Sequence, residues 1–200
     1  MKRLLLVRHG ESEWNAARRL QGQADIGLSE TGEAQAVSLA PTIAKLAPDR
    51  VITSDLRRAR RTADLLGFPE AVKEPGLREV DVGAWTGREI ETIIADEPDA
   101  YRAWRAGTFA PEGGEDWESF ATRTATATKA AFENANRLLV VCHGGVIRAL
   151  LQTFLDLPPR RIIPVGPASL TILASKPNED EMRLEVFNFT PGGLVLDAPD

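Results

Sequence analysis

Two unbroken apolar runs punctuate the chain: Leu4-Leu5-Leu6-Val7 near the start and Leu138-Leu139-Val140-Val141-Cys142 two-thirds of the way along. Continuous runs without polar alternation read as strands buried on both faces, as in a parallel sheet. Each gives way abruptly to polar chemistry. Arg8-His9-Gly10 follows the first and His143-Gly144-Gly145 the second. In an open parallel sheet, ligands bind outside the carboxyl ends of the strands. The chain's only two histidines both stand at such ends, which predicts one shared site.

The pattern between these runs alternates helical and strand-like stretches. Residues 8–28 form a long loop, with Leu20 and Leu28 to bury, so it is expected to be ordered. A helix follows Ser29, a good N-cap, with Ala36, Leu39 and Ala40 on one side. Pro41 is expected to kink or split it. A strand over 50–53 leads to a helix over about 55–67, with Gly67 as its stop signal. On that helix Arg57, Arg60, Arg61 and Asp64 share a solvated face. Arg58 lies with Thr62 and Leu65 on the side carrying apolar groups, so it points inward and needs a partner. A short strand at 71–73 precedes Leu77 to Gly87, a loop with acidic side chains. Helices are expected over 88–95, 99–105, 117–135 and 144–155, and a loop over 108–116. Residues 85–117 hold three of the four tryptophans and are expected to cap the site. Strands at 169–173 and 183–189, joined through Lys176 to Glu179, form an antiparallel hairpin. The tail from Pro191 is expected to be mobile.

Composition narrows the function. The chain has 200 residues, 43% hydrophobic and 26% charged, the balance of a globular domain. A net charge of −5 argues against nucleic-acid binding, which needs clustered cations. The single Cys142 excludes an intrachain disulfide and suits a reducing compartment. Met1-Lys2-Arg3 with the apolar run mimics a signal peptide, but Arg8 ends that run too early. No stretch has the apolar length of a membrane span, so the expected location is the cytoplasm.

Two histidines, two or more arginines and an accessible carboxylate suit phosphoryl chemistry. Guanidinium groups match phosphate oxygens with paired hydrogen bonds. The helix opened by Gly144 and Gly145 offers backbone N–H groups to an anion. Arg8 and Arg58 should disfavour protonation of His9, leaving a neutral imidazole that can attack phosphorus. The departing alkoxide then needs a proton, which a carboxylic acid supplies.

Arg8-His9-Gly10-Glu11-Ser12-Glu13-Trp14-Asn15 resembles the signature of the histidine phosphatase superfamily, in its phosphoglycerate mutase-like branch. Further blocks follow in that family's order. They are Gln21-Gly22 with Asp25, Leu28 and Gly32; Ser54-Asp55-Leu56-Arg57-Arg58-Ala59 with Thr62-Ala63; Leu77-Arg78-Glu79 with Gly83 and Gly87; and Val141-Cys142-His143-Gly144-Gly145. The resemblance implies an α/β fold, a three-layer α/β/α sandwich whose mostly parallel sheet has an antiparallel edge. It implies a single domain with His9 as the phosphorylated residue. Arg8, Arg58 and His143 then bind the phosphoryl group, and Glu79 is the general acid and base. Ser12, Asn15, Gln21, Gly22 and the Gly144 backbone line the substrate pocket. It implies a small phosphorylated metabolite as partner and a phosphatase of the short branch. Two histidines, both already employed, and one cysteine give no metal-ligand cluster, so no metal and no cofactor are expected. α-Ribazole phosphate is one candidate substrate, and a homodimer through the terminal hairpin is one candidate assembly. Three positions depart from the pattern: Ser12 for a common threonine, Thr86 for a frequent glutamate, and Asp116 for a serine after Glu115. Glu11 and Asp81 compete with Glu79 for the acid role.

Three other readings compete. Cys142 and Arg148, spaced by five residues, mimic the phosphate loop of cysteine phosphatases, but this leaves Arg8, His9 and Arg58 idle. A mutase would return the phosphoryl group to substrate instead of water. A binding module would hold phosphate esters without turnover.

Overall fold

In the computed structural model, residues 1–176 and 181–193 are described. Most of the expected hairpin connection (177–179) and most of the expected mobile tail (194–200) lie outside the described residues. The strands are β1 (Arg3–Arg8), β2 (Arg50–Thr53), β3 (Val72–Lys73), β4 (Arg137–Cys142), β5 (Leu170–Ser175) and β6 (Met182–Phe189). The helices are α1 (Glu13–Ala16), α2 (Glu30–Leu46), α3 (Arg57–Leu65), α4 (Ile90–Asp96), α5 (Pro98–Ala106), α6 (Trp117–Phe132) and α7 (Gly144–Leu155). One six-stranded sheet runs in the order β3-β2-β4-β1-β5-β6. The first four of these are mutually parallel, and β5 is antiparallel to both its neighbours.

The apolar runs explain the layering. Successive strand residues face opposite sides, and both sides of β1 and β4 are covered. Leu4, Leu6, Leu138 and Val140 pack with Phe120 and Phe132 of α6 and Val146, Ile147 and Leu150 of α7. Leu5, Val7, Leu139 and Val141 pack with Leu39 and Ile43 of α2 and Ala63 of α3. The result is the expected three-layer sandwich. Helices on both faces demand continuous hydrophobic strands, which is why these two carry no alternation.

Two expectations change. The 8–28 segment is ordered, but it contains the short α1, started by a capping box between Ser12 and Asn15. Leu20 is buried, and its backbone bonds reach Gly87 and Arg88. α2 runs unbroken through Pro41. The bond that proline cannot make would have gone to the carbonyl of Val37, and both residues are exposed. Water can take that carbonyl, so the helix survives the loss.

The β5–β6 pair closes one edge, where Leu184, Phe187 and Phe189 of β6 remain exposed. Among the described residues no helix is long and apolar enough to cross a membrane.

Candidate active site

Neighbouring parallel strands β1 and β4 are paired with Arg8 opposite Cys142. The next residue on each strand is a histidine, so both rings emerge at the same level of the sheet. Their centroids lie 5.2 Å apart, edge to face. The strand ends thus bring the two rings together, and of the two His9 lines the cleft while His143 lies off its wall.

His9 is 3% exposed. Its Nδ1 lies 2.6 Å from the Gly10 carbonyl oxygen. A carbonyl only accepts, so Nδ1 carries the proton and Nε2 keeps the lone pair. Arg58 Nε donates to that Nε2 at 3.2 Å. Burial holds the ring well below the ordinary histidine range, with Arg58 and Arg8 adding to the effect. His143, fully buried, is lowered likewise by burial and by Arg58, His9, Arg8 and Arg123. Its Nε2 contacts Ser54 Oγ at 2.8 Å, and its buried Nδ1 has no protein partner.

Arg58 is the largest fully buried side chain, which matches the inward face read from its helical spacing. Besides His9 it donates to the carbonyls of Ala24 (2.7 Å) and Gly22 (2.8 Å). Burial lowers its pKa to about 10, opposed by Glu79 and Asp25, so it stays charged at neutral pH. Arg8 Nη1 donates to the Val165 carbonyl at 2.5 Å.

Of the three carboxylates in competition, Glu79 is on the wall of the cleft. Its Oε1 accepts from its neighbour Val80 N–H and its Oε2 from Gly145 N–H, each at 2.9 Å. A Cβ at position 145 would run into Glu79 Oε1, so only glycine allows this approach. The helix N-terminus that sequence offered to an external anion therefore already engages the protein's own carboxylate. Glu11 accepts from Ser29 Oγ at 2.7 Å, and Asp81 accepts from Gly83 N–H at 2.9 Å within its own turn. Neither lines the cleft.

Gln21, Gly22 and Gly144 line the cleft; Ser12 and Asn15 do not. Ser12 Oγ donates to Gln21 Oε1 at 2.7 Å and accepts from Asn15 N–H at 3.0 Å. Both residues therefore brace Gln21 from behind. Cys142 is fully buried, and burial pushes its thiol pKa far up. A thiol so held is no nucleophile, and it is absent from the cleft wall.

The sequence reading missed Arg123. Its guanidinium forms a two-pronged ion pair with Glu115, both contacts at 2.7 Å. It also donates to the carbonyls of Gly76 (3.0 Å), Arg78 (2.8 Å) and Glu79 (3.0 Å). The loop presenting Glu79 is thus clasped from α6, and Glu115 serves that clasp instead of facing the cleft. The available signal was a lone arginine bordering the buried stripe Phe120, Thr124 and Thr128.

The tryptophans divide. Trp85 is buried among Tyr101, Trp104 and Phe109 and is a core aromatic. Trp104 and Trp117 stand on the cleft wall, whereas Trp14 and Phe109 do not.

Because the chain has only two histidines, their burial sets a clean pH dependence of stability. Below the unfolded value of about 6.5, the unfolded chain takes up protons that the folded one refuses. Stability is therefore full above that value and falls as pH drops beneath it. Two rings should together cost about 3 kcal/mol between pH 7.5 and 5.5. Urea unfolding at the two pH values measures this, and His9→Ala should halve the difference. An unchanged midpoint would contradict buried neutral rings.

Fold and site together define an α/β protein with two imidazoles and two guanidinium groups gathered at the carboxyl ends of a mostly parallel sheet. A family model described as "Histidine phosphatase superfamily (branch 1)" matches residues 4–190. The chain belongs to that family. It is 36% identical over 210 residues to glucosyl-3-phosphoglycerate phosphatase of Mycobacterium tuberculosis, covering 94% of each chain. It is 40% identical over 171 residues to a probable phosphoglycerate mutase of Photorhabdus laumondii, covering 79% of this chain and 77% of that one. The solved structure of a mycobacterial glucosyl-3-phosphoglycerate phosphatase in complex with VO3 superposes with a TM-score of 0.85 at 36% identity, over 94% of this chain and 99% of the other.

Proposed function

We propose that the protein is a phosphoric monoester hydrolase acting on a small phosphorylated metabolite through a phosphohistidine on His9. The family and the relatives named as phosphatases supply the class of reaction. The observation that carries the mechanism is the His9 tautomer: Nδ1–H is fixed on Gly10 O, so Nε2 keeps the ring's one lone pair, which accepts from Arg58 Nε until an incoming phosphoryl group displaces that bond.

In the first step Nε2 attacks phosphorus and the bond from phosphorus to the ester oxygen breaks. Protonated Glu79 gives its proton to the departing alkoxide. In the second step Glu79 takes a proton from water, whose oxygen attacks the phosphohistidine. Inorganic phosphate leaves and His9 regains its lone pair. Arg8 and Arg58 match the charge spread over the phosphoryl oxygens, where fixed cations count most. When Ser54 Oγ donates to His143 Nε2, the His143 proton sits on Nδ1, which no protein atom among the described residues accepts. The ring is buried off the cleft wall, so that proton meets a phosphoryl oxygen only after the bound ester displaces part of the wall. Among the described residues no three His, Cys, Asp or Glu side chains gather to hold a metal, and a relative in Arabidopsis thaliana is named a metal-independent phosphoserine phosphatase. Turnover should accordingly survive chelation. With one buried cysteine, the cytoplasm is the compartment we assign. Residues 85–117 serve as the cap over the cleft.

The test is phosphate release from a panel of monoesters in the presence of EDTA, with rapid quenching to capture phosphoprotein. The expected result is turnover with a phosphoryl group that is stable in base and labile in acid. Ester binding without release would leave a binding module. Interconversion of phosphoglycerates faster than phosphate release would favour the mutase reading that the Photorhabdus relative suggests.

A further inference from the structure

Two chemically distinct sets of residues line the cleft: Arg8, His9, Arg58 and Glu79, and the apolar set Leu20, Val80, Val82, Trp104, Trp117 and Pro164. The apolar set is closely packed. Leu20, Val80 and Val82 are each no more than 6% exposed. Trp104 is braced edge-on by Trp85 at 5.9 Å and packed on Tyr101 at 5.6 Å. The indole N–H of Trp117 is spent on Gln152 Oε1 at 2.6 Å, so that ring offers its carbon surface. The polar side chains beside this set are engaged in part. Gln21 Oε1 accepts from Ser12 at 2.7 Å, while its amide N–H groups and the Trp104 indole N–H have no protein acceptor among the described residues. Arg148 donates to the carbonyls of Arg105 and Pro159 and lies 5.4 Å from the Trp117 ring centre.

A leaving group rich in hydroxyls finds few partners on such walls, the Gln21 amide and Trp104 indole N–H groups being the donors left, so most of the water it sheds is not replaced. A flat or branched apolar group gains both area and ring contacts. Resting on the phosphatase reading above, we propose that these apolar walls form a leaving-group subsite for alcohols bearing an aromatic or branched apolar group. The enzyme's substrates are then phosphate monoesters of that class, in contrast to the glucosylated phosphoglycerate named for the mycobacterial relatives.

The test compares kcat/KM for 2-phenylethyl phosphate, glycerol 3-phosphate and 3-phosphoglycerate. All are alkyl esters, so the comparison isolates recognition of the group from the ease of departure of an activated phenol. The expected preference for the phenylethyl ester is about tenfold or more, the scale set by burying one such group in an apolar pocket. Trp104→Ala should cut that preference about tenfold, and Trp104→Phe should keep most of it. A wild-type preference near or below one overturns the subsite, as does an unchanged preference in a folded Trp104→Ala protein. If no ester, 4-nitrophenyl phosphate included, is hydrolysed and no phosphohistidine forms, the phosphatase reading falls and this one with it.

Discussion

His9→Ala should abolish turnover, by about ten-thousandfold or more, as expected for loss of a covalent nucleophile. The reason is geometric: His9 lines the cleft, and its one lone pair is held by Arg58 Nε until a phosphoryl group displaces that bond, whereas His143 cannot substitute. His143 is fully buried, already engaged with Ser54, and absent from the cleft wall. The change leaves the Gly10 carbonyl and Arg58 Nε without that partner in a buried place, so thermal unfolding of the variant accompanies the assay to show that it is folded. Rapid-quench labelling should find phosphoprotein in the native enzyme and none in the variant. Retention of more than a tenth of the native rate would move the nucleophile elsewhere.

Glu79→Gln should cost about a hundredfold to ten-thousandfold on alkyl esters, the range for losing a general acid. It should also split the two chemical steps. With 4-nitrophenyl phosphate the leaving group needs no proton, so phosphorylation of His9 should proceed while its hydrolysis stalls. The signature is one equivalent of nitrophenolate released in a burst, followed by a slow phase, with phosphoprotein accumulating. Glu11→Gln provides the contrast. Its carboxylate is tied to Ser29 off the cleft, so no burst should appear. Equal losses on both ester types, without accumulation, would remove Glu79 from the acid role.

What was legible in the sequence follows the range of the forces involved. β1 and β4 could be read because strands covered on both faces must be apolar at every position. Arg58 could be read because three- and four-residue spacing fixes its side of α3. Glu79 was separable from Glu11 and Asp81 only through resemblance, since side chains in a loop have no period. The Arg123 clasp joins α6 to residues more than forty positions earlier, and no local pattern records such a contact. The same holds for Gly145, whose missing side chain makes room for a residue from another element. Pro41 shows the limit of a local rule: it marks the lost bond, but the helix is not split, because water can reach a carbonyl on the exposed face of α2.

The alignment of β1 with β4 carries one more implication. Opposing residues alternate between the two faces, so a slip of a single position would turn one imidazole toward the wrong layer. Misaligned molecules would be collapsed and helical, yet inert. Recovered turnover after dilution from denaturant therefore counts the molecules whose central strands have mated correctly, a census that ellipticity alone would not give.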